Sequence, residues 1–110
     1  MSRYYKFCGT VANPVIVESN GDLFKVDNEW FYIEFDELYD VYVATESETG
    51  LKVLENKSKK YLENDILKNI EKIRNTLKTE KCQNIIKIKK QELLKKDAEN
   101  FKKVYKELCK

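Results

Sequence analysis

The densest group of side chains that could carry chemistry is a run of four carboxylates, Glu34, Asp36, Glu37 and Asp40. Such a group can bind Mg²⁺ or Ca²⁺, or it can present negative charge to a basic partner. A dedicated Ca²⁺ loop places its ligands around a turn glycine, and this segment has none. The simplest interpretation is a solvated strand end and turn, and we expect no metal here.

The carboxylates Glu46, Glu48 and Glu55 add further negative charge after this cluster. They favour a second interpretation, in which the cluster faces a partner. A surface with several carboxylates at phosphate-like spacing can occupy the nucleic-acid channel of another protein. The sequence therefore predicts a partner-binding surface that combines these charges with nearby aromatic residues, and its members are Glu34, Asp36, Glu37, Asp40, Trp30 and Tyr32.

The aromatic residues Trp30, Tyr32 and Tyr42 allow two interpretations. They can form an exposed patch that contacts a protein or stacks on bases. They can equally form the second face of a sheet, covered by helices, and this arrangement is more common for such residues.

Several enzyme classes are excluded by residues that the chain lacks. Without histidine there is no Ser-His-Asp or Cys-His hydrolase, no histidine-ligated metal site and no histidine proton shuttle. The three glycines lie far apart, so no phosphate-binding loop is present. We therefore predict a protein that is not an enzyme and needs no cofactor, with a carboxylate-and-metal enzyme as a third alternative.

The three cysteines, Cys8, Cys82 and Cys109, are widely spaced and never form a C-x-x-C pair. A disulfide framework or a zinc site is therefore not expected, and the thiols are interpreted as reduced, small apolar side chains. A nucleophilic Cys8 is a weaker alternative, because only Arg3 and Lys6 lie nearby to lower its pKa.

Charge is divided sharply along the chain. Residues 1–56 hold four basic and eleven acidic side chains, whereas residues 57–110 hold seventeen basic and eight acidic ones. The lysines of the second half allow an alternative function, a nucleic-acid-binding accessory protein. Two features weaken it: carboxylates alternate with the lysines at helical spacing, and the chain has only two arginines, the residues preferred for reading bases.

Composition bears on origin and location. The chain is rich in lysine, asparagine and isoleucine, whose codons are rich in A and T, which favours an A+T-rich genome such as that of a low-G+C bacterium or its phages. The first residues contain no hydrophobic signal core and no apolar run reaches the roughly 20 residues that cross a bilayer, so we expect a cytoplasmic location.

The first half has the pattern of an antiparallel β-meander. Five or six short strands are expected, beginning with Tyr4 to Cys8. Asn20-Gly21 predicts a hairpin between residues 15–18 and 23–26, because both residues suit a type I′ turn. Asp27-Asn28-Glu29 predicts the next turn, and a further hairpin is expected around Glu48-Thr49-Gly50. The meander either curls into a small barrel or is covered by the helices.

The second half changes to a helical period at about Ser58. One apolar stripe predicts a first helix of about 22 residues, and its members are Leu62, Ile66, Ile70, Ile73 and Leu77. A second stripe predicts a second helix after a corner at residues 79–83, and its members are Leu94, Ala98, Phe101, Tyr105 and Leu108. Residues 84–89 could be strand or helix, and the absence of Gly and Pro favours helix.

The predicted fold is therefore α+β, with an acidic β-rich core at residues 1–56 and a basic two-helix antiparallel hairpin at residues 57–110, forming one domain. The first helix looks longer than the sheet can cover, so we also predict a homodimer through the helical half. The preferred function is a small protein-binding module, an inhibitor or immunity-type factor from a phage or mobile element, whose partner is a protein such as a host nucleic-acid-binding protein.

Overall fold

The computed structural model describes the backbone of residues 1–108 and the side chains of residues 1–99. Five antiparallel strands come first: β1 (Ser2–Gly9), β2 (Pro14–Val26), β3 (Glu29–Asp36), β4 (Val41–Glu46) and β5 (Lys52–Asn56). Three helices follow: α1 (Lys59–Lys68), α2 (Ile70–Leu77) and α3 (Glu80–Leu108). The strands pair in chain order to form one sheet. The predicted α+β class and the meander are therefore confirmed.

The sheet is open, so the alternative of a small barrel was wrong. Its order begins at β1 and ends at β5, and no ladder joins these two described strands. A backbone hydrogen bond from the Phe7 N–H to the Gly50 carbonyl, at 2.8 Å, brings β1 beside the β4–β5 turn without closing the sheet. Closure is not needed to bury the face of the sheet that carries Phe31 and Ile33, because the helices cover it.

The hairpin predicted at residues 19–22 was also wrong. β2 runs through Asn20-Gly21 as one strand, whose first part pairs with β1 and whose last part pairs with β3. Gly21 lies where the pairing passes from one neighbour to the other. A Cβ atom at this position would lie 3.0 Å from the Ile33 carbonyl oxygen and 3.1 Å from the Tyr4 ring. Close packing, and not a turn, therefore favours glycine at this position.

The remaining predicted turns are confirmed. Asp27-Asn28 connects β2 to β3, and Asp27 adopts a left-handed backbone with φ of 55°. The turn around Glu48-Thr49-Gly50 connects β4 to β5, and Gly50 has φ of 71°. Aspartate and glycine are among the residues that tolerate this conformation best.

The hydrophobic core lies between one face of the sheet and the helices. Phe31, Ile33 and Ala44 supply the strand side, and the helix side consists of Leu62, Ile66 and Ile73. Each fully buried large apolar side chain contributes about 1.5–3 kcal/mol to folding. Phe35 lies near the end of β3, on the same face as Phe31 and Ile33, and stays 42 % exposed.

The single long helix predicted from Ser58 is two helices, α1 and α2, joined at Asn69. The Asn69 side-chain amide donates a hydrogen bond to the Asp65 carbonyl at 2.8 Å. Asparagine is unfavourable in helix interiors because its side chain forms hydrogen bonds with nearby backbone groups. The apolar stripe nevertheless continues across the break, since Ile70 and Ile73 both join the core.

The predicted two-helix hairpin is replaced by three helices, and the second stripe differs from the prediction. α3 begins at Glu80, immediately after Thr79, so residues 80–83 are helical and the corner is shorter than expected. Among the α3 residues up to 99, the buried side chains are Cys82, Ile85, Ile86 and Lys89. Residues 84–89 are helical, as favoured. Leu94 and Ala98 are exposed, and the side chains of Phe101, Tyr105 and Leu108 lie outside the described residues.

The change from acidic to basic composition coincides with the change from strand to helix. β5 ends at Asn56, and α1 begins at Lys59 after Ser58, whose side chain accepts a hydrogen bond from the Tyr61 N–H. The helices pack on the sheet, α1 against β4 and β5 and α3 against β2. Among the described residues, none of the three helices has both the length and the apolar character needed to cross a bilayer.

A substitution at Gly50 tests the contact between β1 and the β4–β5 turn. A Cβ atom on Gly50 would lie 2.7 Å from the Phe7 nitrogen and 2.8 Å from the Tyr5 carbonyl oxygen. We expect Gly50→Ala to lower the free energy of unfolding by about 3 kcal/mol, from left-handed strain and this overlap together. The measurement is urea denaturation.

Asp40→Ala is the matched control, because Asp40 also has a positive φ, of 55°, and its side chain is exposed. This variant should lose only about 1 kcal/mol, the cost of the backbone conformation. Equal losses in the two variants would show that Gly50 does not hold β1 against the turn.

Candidate protein-binding site

The turn between β3 and β4 is held by local hydrogen bonds. Asp36 Oδ1 accepts from the backbone N–H groups of Leu38 and Tyr39, at 3.0 and 3.3 Å. Asp40 adopts a left-handed backbone with φ of 55°, which aspartate tolerates better than most residues. The two aspartates therefore fix this turn from both ends. We call residues Asp36–Asp40 the acidic turn.

Large apolar side chains project from the acidic turn. Leu38 is 83 % exposed and Tyr39 is 71 % exposed. Glu37 and Asp40 are also exposed, so the two apolar side chains stand among carboxylates. A leucine and a tyrosine exposed together on an ordered turn bury little apolar surface in this chain, and such side chains are frequent anchors of protein interfaces.

A groove of about 560 Å³ lies beside the acidic turn, between β1 and the β4–β5 region. Its lining carries the carboxylates Glu34, Asp36, Glu37 and Glu55 and the amines of Lys6 and Lys52. Both amines are paired, Lys6 with Glu34 at 2.6 Å and Lys52 with Glu55 at 3.0 Å. Within the described residues Asp36 and Glu37 make no salt bridge, so the groove is negative on the side of the acidic turn.

Glu34, predicted as a partner-binding residue, lies under β1 and is part of the scaffold. Its Oε2 accepts a hydrogen bond from the Tyr4 hydroxyl at 2.7 Å, and its Oε1 accepts from the Ser19 hydroxyl at 2.6 Å. Burial acts to raise the pKa of Glu34, but the bonds from Lys6, Ser19 and Tyr4 together hold it below its ordinary value of 4.5. Glu34 therefore joins β1, β2 and β3 as a charged acceptor.

The aromatic residues predicted to act together are separated. Tyr32 stacks on Tyr4, with ring centroids 4.7 Å apart and planes 3° from parallel. Trp30 lies on the same face as Tyr32, near the start of β3, and its ring lies under the amine of Lys25. The acidic turn lies at the other end of this strand. Tyr42 lies on the other face and packs against the core. Asp36 lies six residue steps along β3 from Trp30, about 20 Å at 3.3 Å per residue. They do not form one platform with the acidic turn.

The carboxylate of Glu46, expected to extend the acidic surface, is buried inside the β4–β5 turn. It accepts hydrogen bonds from the backbone N–H groups of Glu48 and Thr49, at 2.6 and 2.9 Å. Its role is to hold the turn, since it satisfies two donors that the chain reversal leaves without strand partners.

Lys89 was missed by the sequence analysis. It is only 7 % exposed, and its amine donates a hydrogen bond to the Ser47 carbonyl. Burial lowers the pKa of Lys89, while the nearby charges of Glu46 and Glu48 act to raise it. The available signal was its spacing from Cys82 and Ile85, which places it on the buried side of α3.

Arg74 is a second residue that the sequence analysis did not identify. Its guanidinium lies 2.7 Å from an oxygen of Asp27, 3.0 Å from Glu29 and 2.8 Å from Glu71. It thus ties α2 to the β2–β3 turn. The sequence held one indication of this role: lysine fills almost every other basic position, and arginine is better suited than lysine to contacts with several carboxylates.

No cluster of three or more Cys, Asp or Glu side chains suited to a metal ion occurs in the part of the chain that the structure describes. Comparison with known protein families, curated proteins and solved structures gave no match to this chain. The candidate site is defined by its own geometry, an ordered acidic turn with two exposed apolar side chains.

Stability at low pH tests the role of Glu34. We expect Glu34→Gln to lower the free energy of unfolding by about 1.5–3 kcal/mol at neutral pH, because hydrogen bonds to a charged group are lost. The pKa of Glu34 is depressed in the folded protein, so its contribution is complete above pH 4.5 and disappears as the pH falls through the lowered pKa. The measurement is denaturant unfolding of both proteins between pH 7 and about pH 3.

Glu37→Gln is the control, since Glu37 is exposed and should change stability by less than about 0.5 kcal/mol at every pH. A gap between wild type and Glu34→Gln that stayed constant down to the lowest pH would contradict a charged Glu34 in the folded state.

Proposed function

We propose that this chain is a small, non-enzymatic protein-binding module that acts as an inhibitor or immunity-type factor through its acidic turn. The observation that carries the proposal is the exposure of Leu38 and Tyr39 on a turn fixed by Asp36 and Asp40. Ordered apolar side chains reach a partner without a large loss of conformational entropy. Surrounding carboxylates then select partners of opposite charge.

The partner that fits this surface is a protein with a basic groove that contains an apolar pocket. Nucleic-acid-binding proteins have such grooves, because lysines and arginines there contact phosphates and aromatic or apolar residues contact bases. Carboxylates of Asp36, Glu37 and Asp40 would take the place of phosphates, and Leu38 or Tyr39 would enter the pocket. Occupying the groove would inhibit the partner. The A+T-rich composition is the support for an origin in a phage or mobile element.

The proposed contact surface is narrower than the one expected from sequence. Glu34 and Tyr32 already have partners within the sheet, so changing them would disturb the scaffold. Trp30 is exposed, but it lies too far from the acidic turn to share one small pocket with it. The surface therefore consists of Asp36, Glu37, Leu38, Tyr39 and Asp40.

Nucleic-acid binding through the helices is the alternative that the experiment must distinguish from protein binding through the acidic turn. Some of the lysines are occupied within the fold: the amine of Lys89 donates to Ser47 and that of Lys96 donates to the Ile16 carbonyl. Lys95 pairs with Glu92 at 3.2 Å. These contacts reduce the number of amines that remain for phosphates.

The test is purification of tagged protein from extracts of its natural host, with and without nuclease, using two variant sets. The set Asp36→Asn, Glu37→Gln, Asp40→Asn removes charge and keeps the turn, because asparagine accepts the same hydrogen bond and tolerates a left-handed backbone. The set Lys87→Glu, Lys95→Glu reverses charge on α3. We expect a protein partner that survives nuclease, is retained by the lysine set, and is bound at least about tenfold more weakly by the carboxylate set.

Two additional measurements complete this test. The double variant Leu38→Ala, Tyr39→Ala should weaken binding of the same partner by about 2 kcal/mol or more if these residues anchor the contact. Binding of duplex and single-stranded nucleic acid by wild type and both variant sets is measured at two salt concentrations. Salt-sensitive nucleic-acid binding that is lost only in the lysine set would overturn the proposal in favour of the alternative.

A homodimer through the helical half is the second association that we propose. The stripe expected to be uncovered packs mostly against the core of its own chain, so the contact would use Leu94, which is 67 % exposed on α3. Light scattering at tens of micromolar should show a dimer that Leu94→Lys weakens. A monomeric wild type at that concentration would contradict it.

A further inference from the structure

A second, apolar cleft lies between β5, α2 and the start of α3, and Lys52 lines both this cleft and the groove beside the acidic turn. Its volume is about 290 Å³. The strand side is formed by Leu51, Val53 and Leu54, and the helix side is formed by Ile73, Leu77 and Cys82. The break at Asn69 accounts for the cleft: α1 packs directly on β5, whereas α2 leaves a space beside that strand.

The charge of this cleft is opposite to that of the groove. Its lining includes two lysines, Lys52 and Lys72, and no aspartate or glutamate. Both lysines are exposed, so their amines lie where the cleft meets solvent. Lys52 is paired with Glu55, and Lys72 makes no salt bridge within the described residues. An apolar cleft with an available amine at its mouth is complementary to a molecule with an apolar chain and an anionic head.

We infer that this cleft binds a small anionic amphiphile, with the apolar chain between β5 and α2 and the head group at Lys72. At roughly 30 Å³ for each non-hydrogen atom, the volume accommodates a chain of about ten atoms. Medium-chain carboxylates have this size and charge. This site goes beyond the proposed protein-binding function and shares no residue with the acidic turn.

The test is isothermal calorimetry of the full chain with decanoate, below its micellar concentration, and with decylamine as the cationic counterpart. We expect wild type to bind decanoate and to bind decylamine more weakly. Thr76→Trp places a large ring in the cleft, since Thr76 is an exposed residue of its lining. This variant should bind decanoate at least about tenfold more weakly. Asn75→Trp is the control, because Asn75 is exposed on the same helix and lies outside the lining, and it should bind as wild type does.

Lys72→Met tests the head-group contact, because it removes the charge and keeps an apolar stem. It should lower the affinity for decanoate by up to about fivefold, which is the range expected for an exposed ion pair. It should not lower the affinity for decylamine. Circular dichroism confirms that each variant is folded. No decanoate binding by wild type, equal binding of decanoate and decylamine, or binding unaffected by Thr76→Trp would each overturn the inference. The variant set Asp36→Asn, Glu37→Gln, Asp40→Asn should bind decanoate normally, so this result is independent of the proposed function.

Discussion

The structure depends on covering both faces of β3. On one face, Phe31 and Ile33 pack against Leu62 and Ile66 from α1, and all four are buried. On the other face, Tyr32 stacks on Tyr4, and Glu34 accepts hydrogen bonds from β1 and β2. The first contact brings the helices onto the sheet. The second brings β1 over the sheet, where Phe7 reaches the β4–β5 turn through its backbone.

A partly buried carboxylate is costly unless donors surround it, and Glu34 shows how the chain meets that requirement. Its three donors, Tyr4, Lys6 and Ser19, come from two strands that must be in register with β3. A shift of one residue would turn Ser19 and Tyr4 away from the carboxylate, because strand side chains alternate between faces. Glu34 therefore supports the register of the sheet as well as its stability.

The same architecture explains why the candidate binding surface is so small. Carboxylates in the middle of the sheet region are used internally: Glu34 by three side chains and Glu46 by the backbone of its own turn. In the acidic turn, carboxylates and two large apolar side chains reach solvent together. Its rigidity comes from residues of the same cluster, since Asp36 accepts two backbone hydrogen bonds and Asp40 adopts the left-handed conformation. One aspartate side chain thus both shapes the turn and contributes its charge.

Local patterns in the sequence determined much of the fold. The alternation of Phe31 and Ile33 with Tyr32 and Glu34 is typical of a strand, and the helical spacing of Leu62, Ile66 and Ile73 was sufficient to predict a helix. These signals are strong because each depends on one repeated distance along the chain. Asn20-Gly21 failed as a hairpin signal for the opposite reason. Its local preference for a turn was overridden by the close packing of Gly21 against the Ile33 backbone and the Tyr4 ring.

Which polar residues are scaffold and which are surface was decided only by the tertiary structure. In the sequence, Glu34 and Glu37 are two carboxylates of one cluster, yet one is bonded beneath β1 and the other is exposed. Lys89 and Lys87 are likewise two lysines of one helix, and only the first is buried. The sequence determines the number and sign of these charges. Their environment depends on strands and helices that are distant along the chain, because burial and hydrogen bonding are set by whatever packs against each side chain.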